Sequence, residues 1–131
     1  MSTNKFRIEH IGLWVKDLDL MKEFYERYFE AEANERYHNQ KTDFQSYFLT
    51  FPSSDTRLEL MNKPNLKEAV ADSFTYAHIA YQVDSKEAVD SLHEQLVKDG
   101  YPHVNGPRVT GDGYYEAVVE DPEGNLIEIT S

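Results

Sequence analysis

The sequence predicts an α+β fold of two tandem βαβββ modules, with strands forming a curved, cup-like mixed sheet and helices on its outer face. Three observations carry this reading. The chain repeats itself: EHIGLWVKD near the start is answered by AHIAYQVD, and RLELM by NLIEI. In each half a strand-like run precedes a stretch of helical periodicity, and shorter alternating runs follow. At 131 residues, the chain suits one compact domain with a real core.

In the first half the strand covers about residues 6–15. Asp17 or Asp19 can cap the next helix, where Leu18, Met21, Phe24, Tyr25 and Tyr28 recur at helical spacing. Further strands are expected near 33–38, 44–52 and 56–62. The second half opens with a strand near 75–83 and a helix beginning at Asp84. Asp84 with Glu87 reads as a capping box, Ala88, Leu92 and Leu96 as the buried face, and Gly100 as the stop. Strands follow near 102–105, 113–120 and 125–130, the last two joined by the DPEGN turn from Asp121 to Asn125. Module one thus spans about 5–62, a linker about 63–74 and module two about 75–131, together one domain with an open eight-stranded sheet.

The repeat also carries chemistry. Glu59 follows His10 by 49 residues, and Glu128 follows His78 by 50. Successive strand side chains point to opposite faces. Ile11, Leu13 and Val15 take one face of the first strand, and His10, Gly12 and Trp14 the other. Ile79, Tyr81 and Val83 likewise oppose His78, Ala80 and Gln82. Leu58 and Leu60 oppose Glu59, as Ile127 and Ile129 oppose Glu128. All four polar residues therefore fall on the face away from the helices. Two imidazoles and two carboxylates there can hold one divalent ion and leave positions open for substrate oxygens.

Composition narrows the function. A net charge of −11 with no basic cluster argues against nucleic acid. No run approaches the roughly 18 apolar residues of a membrane span, and residues 1–10 lack a signal peptide's apolar region. The absence of cysteine excludes disulfide and thiolate chemistry. A cytoplasmic protein acting on a small molecule is the expectation.

The segments HIGLWVKDLDLMKEFYERYF, RLELM, HIAYQVD and VVEDPEGNLIEI closely resemble the vicinal oxygen chelate superfamily. That superfamily includes glyoxalase I, bleomycin- and fosfomycin-resistance proteins, extradiol dioxygenases and methylmalonyl-CoA epimerase. The resemblance implies the glyoxalase fold and a homodimer whose metal site is either internal or shared between subunits. His10, Glu59, His78 and Glu128 match the glyoxalase I ligand set, which implies one divalent metal per site: nickel, cobalt, zinc or manganese. Glu128 would be the principal base and Glu59 its counterpart, converting a hemithioacetal of a 2-oxoaldehyde to a 2-hydroxy thioester through an enediolate. The glutathione contacts of short bacterial members do not carry over. Trp14 stands where they have an arginine, Lys63 where they have an asparagine, and Arg108 is the nearest basic residue to their lysine. Trp14, Arg108, Tyr115 and Glu116 are candidate pocket residues. The alternatives are a drug-binding protein of the same fold without catalysis, or another metal-dependent enzyme of the superfamily. His38, His93 and His103 lie outside the repeat and receive no role, with His93 expected on the wet side of its helix.

Overall fold

The computed structural model describes residues 4–131. The chain divides into two compact units, with the break between Ala69 and Val70. The first holds β1 (His10–Trp14), α1 (Leu18–Phe29), β2 (Glu32–Ala33), β3 (Tyr37–Asn39), β4 (Phe44–Phe51) and β5 (Ser54–Asn62). Its sheet runs β1-β5-β4-β2, with β3 also paired to β4. The second holds β6 (His78–Gln82), α2 (Lys86–Lys98), β7 (His103–Val109), β8 (Tyr115–Glu120) and β9 (Leu126–Thr130), in the order β6-β9-β8-β7. In each unit the first and last strands pair in parallel, β1 with β5 and β6 with β9, while the other pairings are antiparallel.

Asp17, not Asp19, caps α1: its Oδ1 accepts from the Leu20 amide at 3.0 Å. The stripe Leu18, Met21, Phe24, Tyr25 and Tyr28 is buried as its spacing requires, and α1 packs on β4 and β5. The α2 cap differs from the expected capping box. Ser85 occupies the N-cap with extended backbone, and its hydroxyl accepts from the Ala88 amide at 3.1 Å. Val89 and Leu96 are fully buried beneath α2, whereas Ala88 and Leu92 only flank that stripe. Gly100 ends the helix at φ 98°. Its amide reaches Val97 O at 3.0 Å and the Tyr101 amide reaches Leu96 O at 3.0 Å, the paired bonds of a Schellman motif.

Strand boundaries shift for local reasons. β1 starts only at His10, and Phe6 and Ile8 before it are exposed. The 33–38 run splits in two, because the Asn34 side chain takes the place of a strand partner. Its Oδ1 accepts from the Phe48 amide at 2.8 Å, and its own amide donates to Phe48 O at 3.1 Å. β7 runs on to Val109 through register shifts against β8. Among the described residues the outcome is nine strands in sheets of five and four rather than one run of eight. Among the described residues no helix is long and apolar enough to cross a membrane.

The two cores are built alike. Leu49, Leu58 and Leu60 lie under α1, and Ala117, Val119, Ile127 and Ile129 under α2, none more than 3% exposed. Tyr47 links α1 to its sheet. Its hydroxyl donates to Asp19 Oδ1 at 2.8 Å and accepts from Arg36 Nε at 3.3 Å, while Arg36 Nη2 lies 2.9 Å from Asp19 Oδ2. The Tyr47 hydrogen bond, followed by the charge of Arg36, holds the Asp19 carboxyl below its usual range.

Two outcomes follow for stability. Ile129→Ala should cost about 2–5 kcal/mol in urea unfolding, as large-to-small changes in filled cores do, and Ile11→Ala on half-exposed β1 far less. A lowered folded pKa stabilises above the ordinary aspartate range, and that contribution disappears as pH falls through the folded value. Tyr47→Phe should therefore lower the urea midpoint at neutral pH, with the gap to the parent narrowing on acidification.

Candidate metal centre

Parallel pairing places each histidine beside its glutamate. Gly12 is level with Glu59 and His10 with Arg57. Ala80 is level with Glu128 and His78 with Leu126. Each imidazole thus stands two residues back from its carboxylate on the adjoining strand, on the face away from the helix. His10 Nε2 lies 3.6 Å from Glu59 Oε1, and His78 Nε2 lies 3.3 Å from Glu128 Oε2. Two ligands bound at about 2.0–2.2 Å to one ion, at tetrahedral or octahedral angles, stand about 2.8–3.6 Å apart. The second pair falls inside that range and the first at its upper end. Both histidine side chains are 41% exposed, and the glutamates are more sheltered at 15% and 22%. Among the described residues, no three His, Asp or Glu side chains gather around one point. Each unit presents one His–Glu pair.

Around the first pair lie residues that sequence reading missed. His10 Nδ1 is 3.0 Å from Glu9 Oε1, and Arg57 donates from Nε and Nη2 to the two Glu9 oxygens. The hydrogen bond from Arg57, then that from His10, holds the Glu9 carboxyl below its usual range. The Arg57 guanidinium sits 4.1 Å from the centre of the Phe48 ring, and the His10 ring meets Phe48 edge-on at 5.2 Å. The register was the missing signal: Glu9 and Arg57 gain meaning only once β1 and β5 are known to be parallel neighbours. Trp14 lies on the same face, 45% exposed, edge-on to Phe44 with the Lys63 ammonium 4.9 Å from its ring centre.

The second pair opens on a groove of about 360 Å³ lined by Ala80, Gln82, Asp112, Tyr114, Glu116, Glu128 and Thr130. Glu116 shares a hydrogen bond with Glu128. Burial, then that bond and the Glu128 charge, raises the Glu116 pKa, while the nearby charge of Arg108 works against the rise. Arg108 is level with Glu116 across β7–β8 and donates to Asn105 Oδ1 at 3.3 Å. Tyr115 turns the other way, its hydroxyl donating to Asp90 Oδ1 on α2 at 2.6 Å, so Tyr114 lines the groove instead. His93 is not on a wet face. Its Nε2 is buried without a hydrogen-bond partner, and its ring meets His103 edge-on at 5.2 Å. His38 Nε2 pairs with Asp43 at 2.7 Å.

Two units of like order, βαββββ and βαβββ, each presenting a His–Glu pair, define a duplicated α+β scaffold. Residues 7–129 match the family model of the Glyoxalase/Bleomycin resistance protein/Dioxygenase superfamily, and the chain belongs to that superfamily. It is similar to the trypanothione-dependent glyoxalase I of Leishmania major, at 26% identity over 95% of this chain and 86% of that one, with a TM-score of 0.76. A glyoxalase family protein of Bacillus cereus superposes at a TM-score of 0.82 with 18% identity, covering 99% and 97% of the two chains. The fosfomycin resistance protein FosX of Listeria monocytogenes superposes at 0.69 with 23% identity over 100% and 93%. No curated protein matches the chain in sequence.

A divalent ion held by these pairs should raise the melting midpoint, by the equivalent of about 2.7 kcal/mol at a hundredfold excess over Kd. Thermal unfolding with and without nickel, cobalt, zinc or manganese reads this directly. In His10→Ala the shift should shrink or vanish.

Proposed function

We propose that this protein is a divalent-metal-dependent isomerase of glyoxalase I type, acting on the hemithioacetal of a 2-oxoaldehyde and a thiol. The repeated His–Glu pair, on the same strand diagonal in both units, carries the reading. His10, Glu59, His78 and Glu128 are its metal ligands, and the protein is a homodimer. A bound divalent ion would supply Lewis-acid stabilisation of the negative charge that builds on the substrate oxygens.

The remaining chemistry belongs to the side chains. Glu128 takes the proton from the carbon bearing the thioether and hydroxyl, leaving an enediolate, and returns it to the neighbouring carbon. One C–H bond breaks and another forms, so the product is a 2-hydroxy thioester and no redox partner is needed. Glu59 is placed in the first unit as Glu128 is in the second, and serves the opposite face of the substrate. Glu116, hydrogen-bonded to Glu128, holds that carboxyl in the groove. The Trp14 ring and the Lys63 ammonium form the wall that receives the thiol-bearing arm.

One observation favours a second reading. The groove beside Glu128 carries Asp112 and Glu116 as well, a setting for a cationic ligand bound without turnover.

Metal analysis of protein purified without added metal, followed by turnover of methylglyoxal with a panel of small thiols, separates the two. The expected outcome is about one ion per set of four ligands, with activity on at least one adduct. Glu128→Gln should lower kcat by at least about a hundredfold, as loss of a general base does, while leaving the unfolding midpoint near the parent's. Metal-loaded protein inert toward every thiol adduct, yet binding a basic drug in the presence of chelator, would overturn the enzyme reading.

A further inference from the structure

The two half sites share a register but not their surroundings. On the first, Glu9 lies between two partners: the His10 Nδ1 and the Arg57 guanidinium, which also stacks on Phe48. The Arg57 amide donates to Glu9 O at 2.9 Å, so main chain and side chain together tie Glu9 to β5. The corresponding positions in the second unit are Ala77 for Glu9, Leu126 for Arg57 and Val118 for Phe48. None of these three side chains can accept or donate a hydrogen bond.

We infer that Glu9 and Arg57 form a positioning clamp that keeps the His10 proton on Nδ1 and aims the bare Nε2 at the metal, a device built into only one of the two half sites. The inference rests on the metal-ligand role proposed for His10. Which imidazole nitrogen carries the proton is set by the hydrogen bond that the other nitrogen makes. A carboxylate can only accept, so a hydrogen bond at Nδ1 puts a proton there, and in the neutral imidazole that leaves the Nε2 lone pair facing Glu59. Arg57 engages both Glu9 oxygens and is itself held over the Phe48 ring, which limits rotation of the carboxylate. His10 meets the same Phe48 ring edge-on, so one aromatic side chain braces both ends of the clamp. Exposed ion pairs contribute little to stability. Orientation of a ligand is the effect such a pair can deliver, and outer partners of this kind typically alter metal affinity 10–100-fold.

The test uses the full chain. Metal-free protein labelled with nitrogen-15 is studied by long-range proton–nitrogen spectra, at a pH about two units above the usual imidazole value. His10 should carry its proton on Nδ1 in the parent and move toward the Nε2 form in Glu9→Ala, with His78 unchanged. Titration of the same proteins with nickel or zinc should show affinity about 10–100-fold weaker for Glu9→Ala. Glu9→Gln, whose amide oxygen still accepts, should fall between the two and guards against misfolding of the alanine variant. Arg57→Met keeps an apolar contact with Phe48 but frees Glu9, and should weaken binding in the same direction. Parental affinity in folded Glu9→Ala, or a His10 tautomer indifferent to the substitution, overturns the clamp. Should the parent itself bind no ion, the metal reading fails, and the tautomer spectra still decide the clamp.

Discussion

Parallel pairing between the first and last strands of each unit is the constraint on which the site depends. An antiparallel hairpin could bring His10 and Glu59 level, but the chain between them would then be a turn. Parallel neighbours need a long crossover, which here carries a helix and the intervening strands. That crossover puts the helix on one face and leaves the His–Glu pair on the other. The glutamates are fixed to their face by the residues that flank them. Leu58 and Leu60, like Ile127 and Ile129, are all but fully buried. A one-residue slip of β5 or β9 would expose those apolar pairs and drive a carboxylate into the core, a cost far above any single hydrogen bond.

The turns support the same end. Asp121, 2% exposed, accepts from the amides of Glu123 and Asn125 and from the Asn125 side chain, closing the connection from β8 to β9. The Asp121 amide donates back to Asn125 O at 2.9 Å. A carboxylate so thoroughly engaged fixes where β9 begins, and hence which residue of that strand stands level with Ala80. In the first unit β4 and β5 are joined through Pro52 and Ser53, with a register shift within β4 between Leu49 and Phe51. There the Asn62 side chain donates to Val15 O at 2.6 Å and locks the far end of β5 to the chain leaving β1.

Much of this was legible beforehand because burial and strand alternation act over two or three residues. The faces of β5 and β9 follow from Leu-Glu-Leu and Ile-Glu-Ile alone, and the α1 stripe from its spacing. What the sequence hid were choices between near-equivalent local options. Asp84 and Ser85 both cap helices well, and only backbone geometry selects Ser85. The 33–38 run has no proline or glycine to mark its interruption; the Phe48 amide donating to the Asn34 side-chain oxygen breaks it. Tyr114 and Tyr115 differ by one step of alternation, and a strand edge placed one residue off exchanges their roles. His93 and His103 are ten residues apart on different elements, so their contact is tertiary and leaves no periodic trace.

Duplication explains why the two faces could specialise so differently. The helix-side residues of the two units are interchangeable in kind, since each must fill a close-packed core. No such demand falls on the opposite face once its His–Glu pair is in place. In the first unit that face gathered rings and cations: Trp14, Phe44 and Phe48 with Arg57 and Lys63. In the second it gathered acids, with Asp112 and Glu116 around Glu128. Ser46 and Glu116 show the divergence at a single position, because each is level with the residue two beyond the paired glutamate of the next strand. Ser46 is buried and neutral, whereas Glu116 is a second carboxyl hydrogen-bonded to the first. One half therefore carries a His–Glu pair braced by Glu9 and Arg57, and the other a pair beside a further carboxyl whose pKa burial raises. A strictly symmetric repeat could not supply both environments.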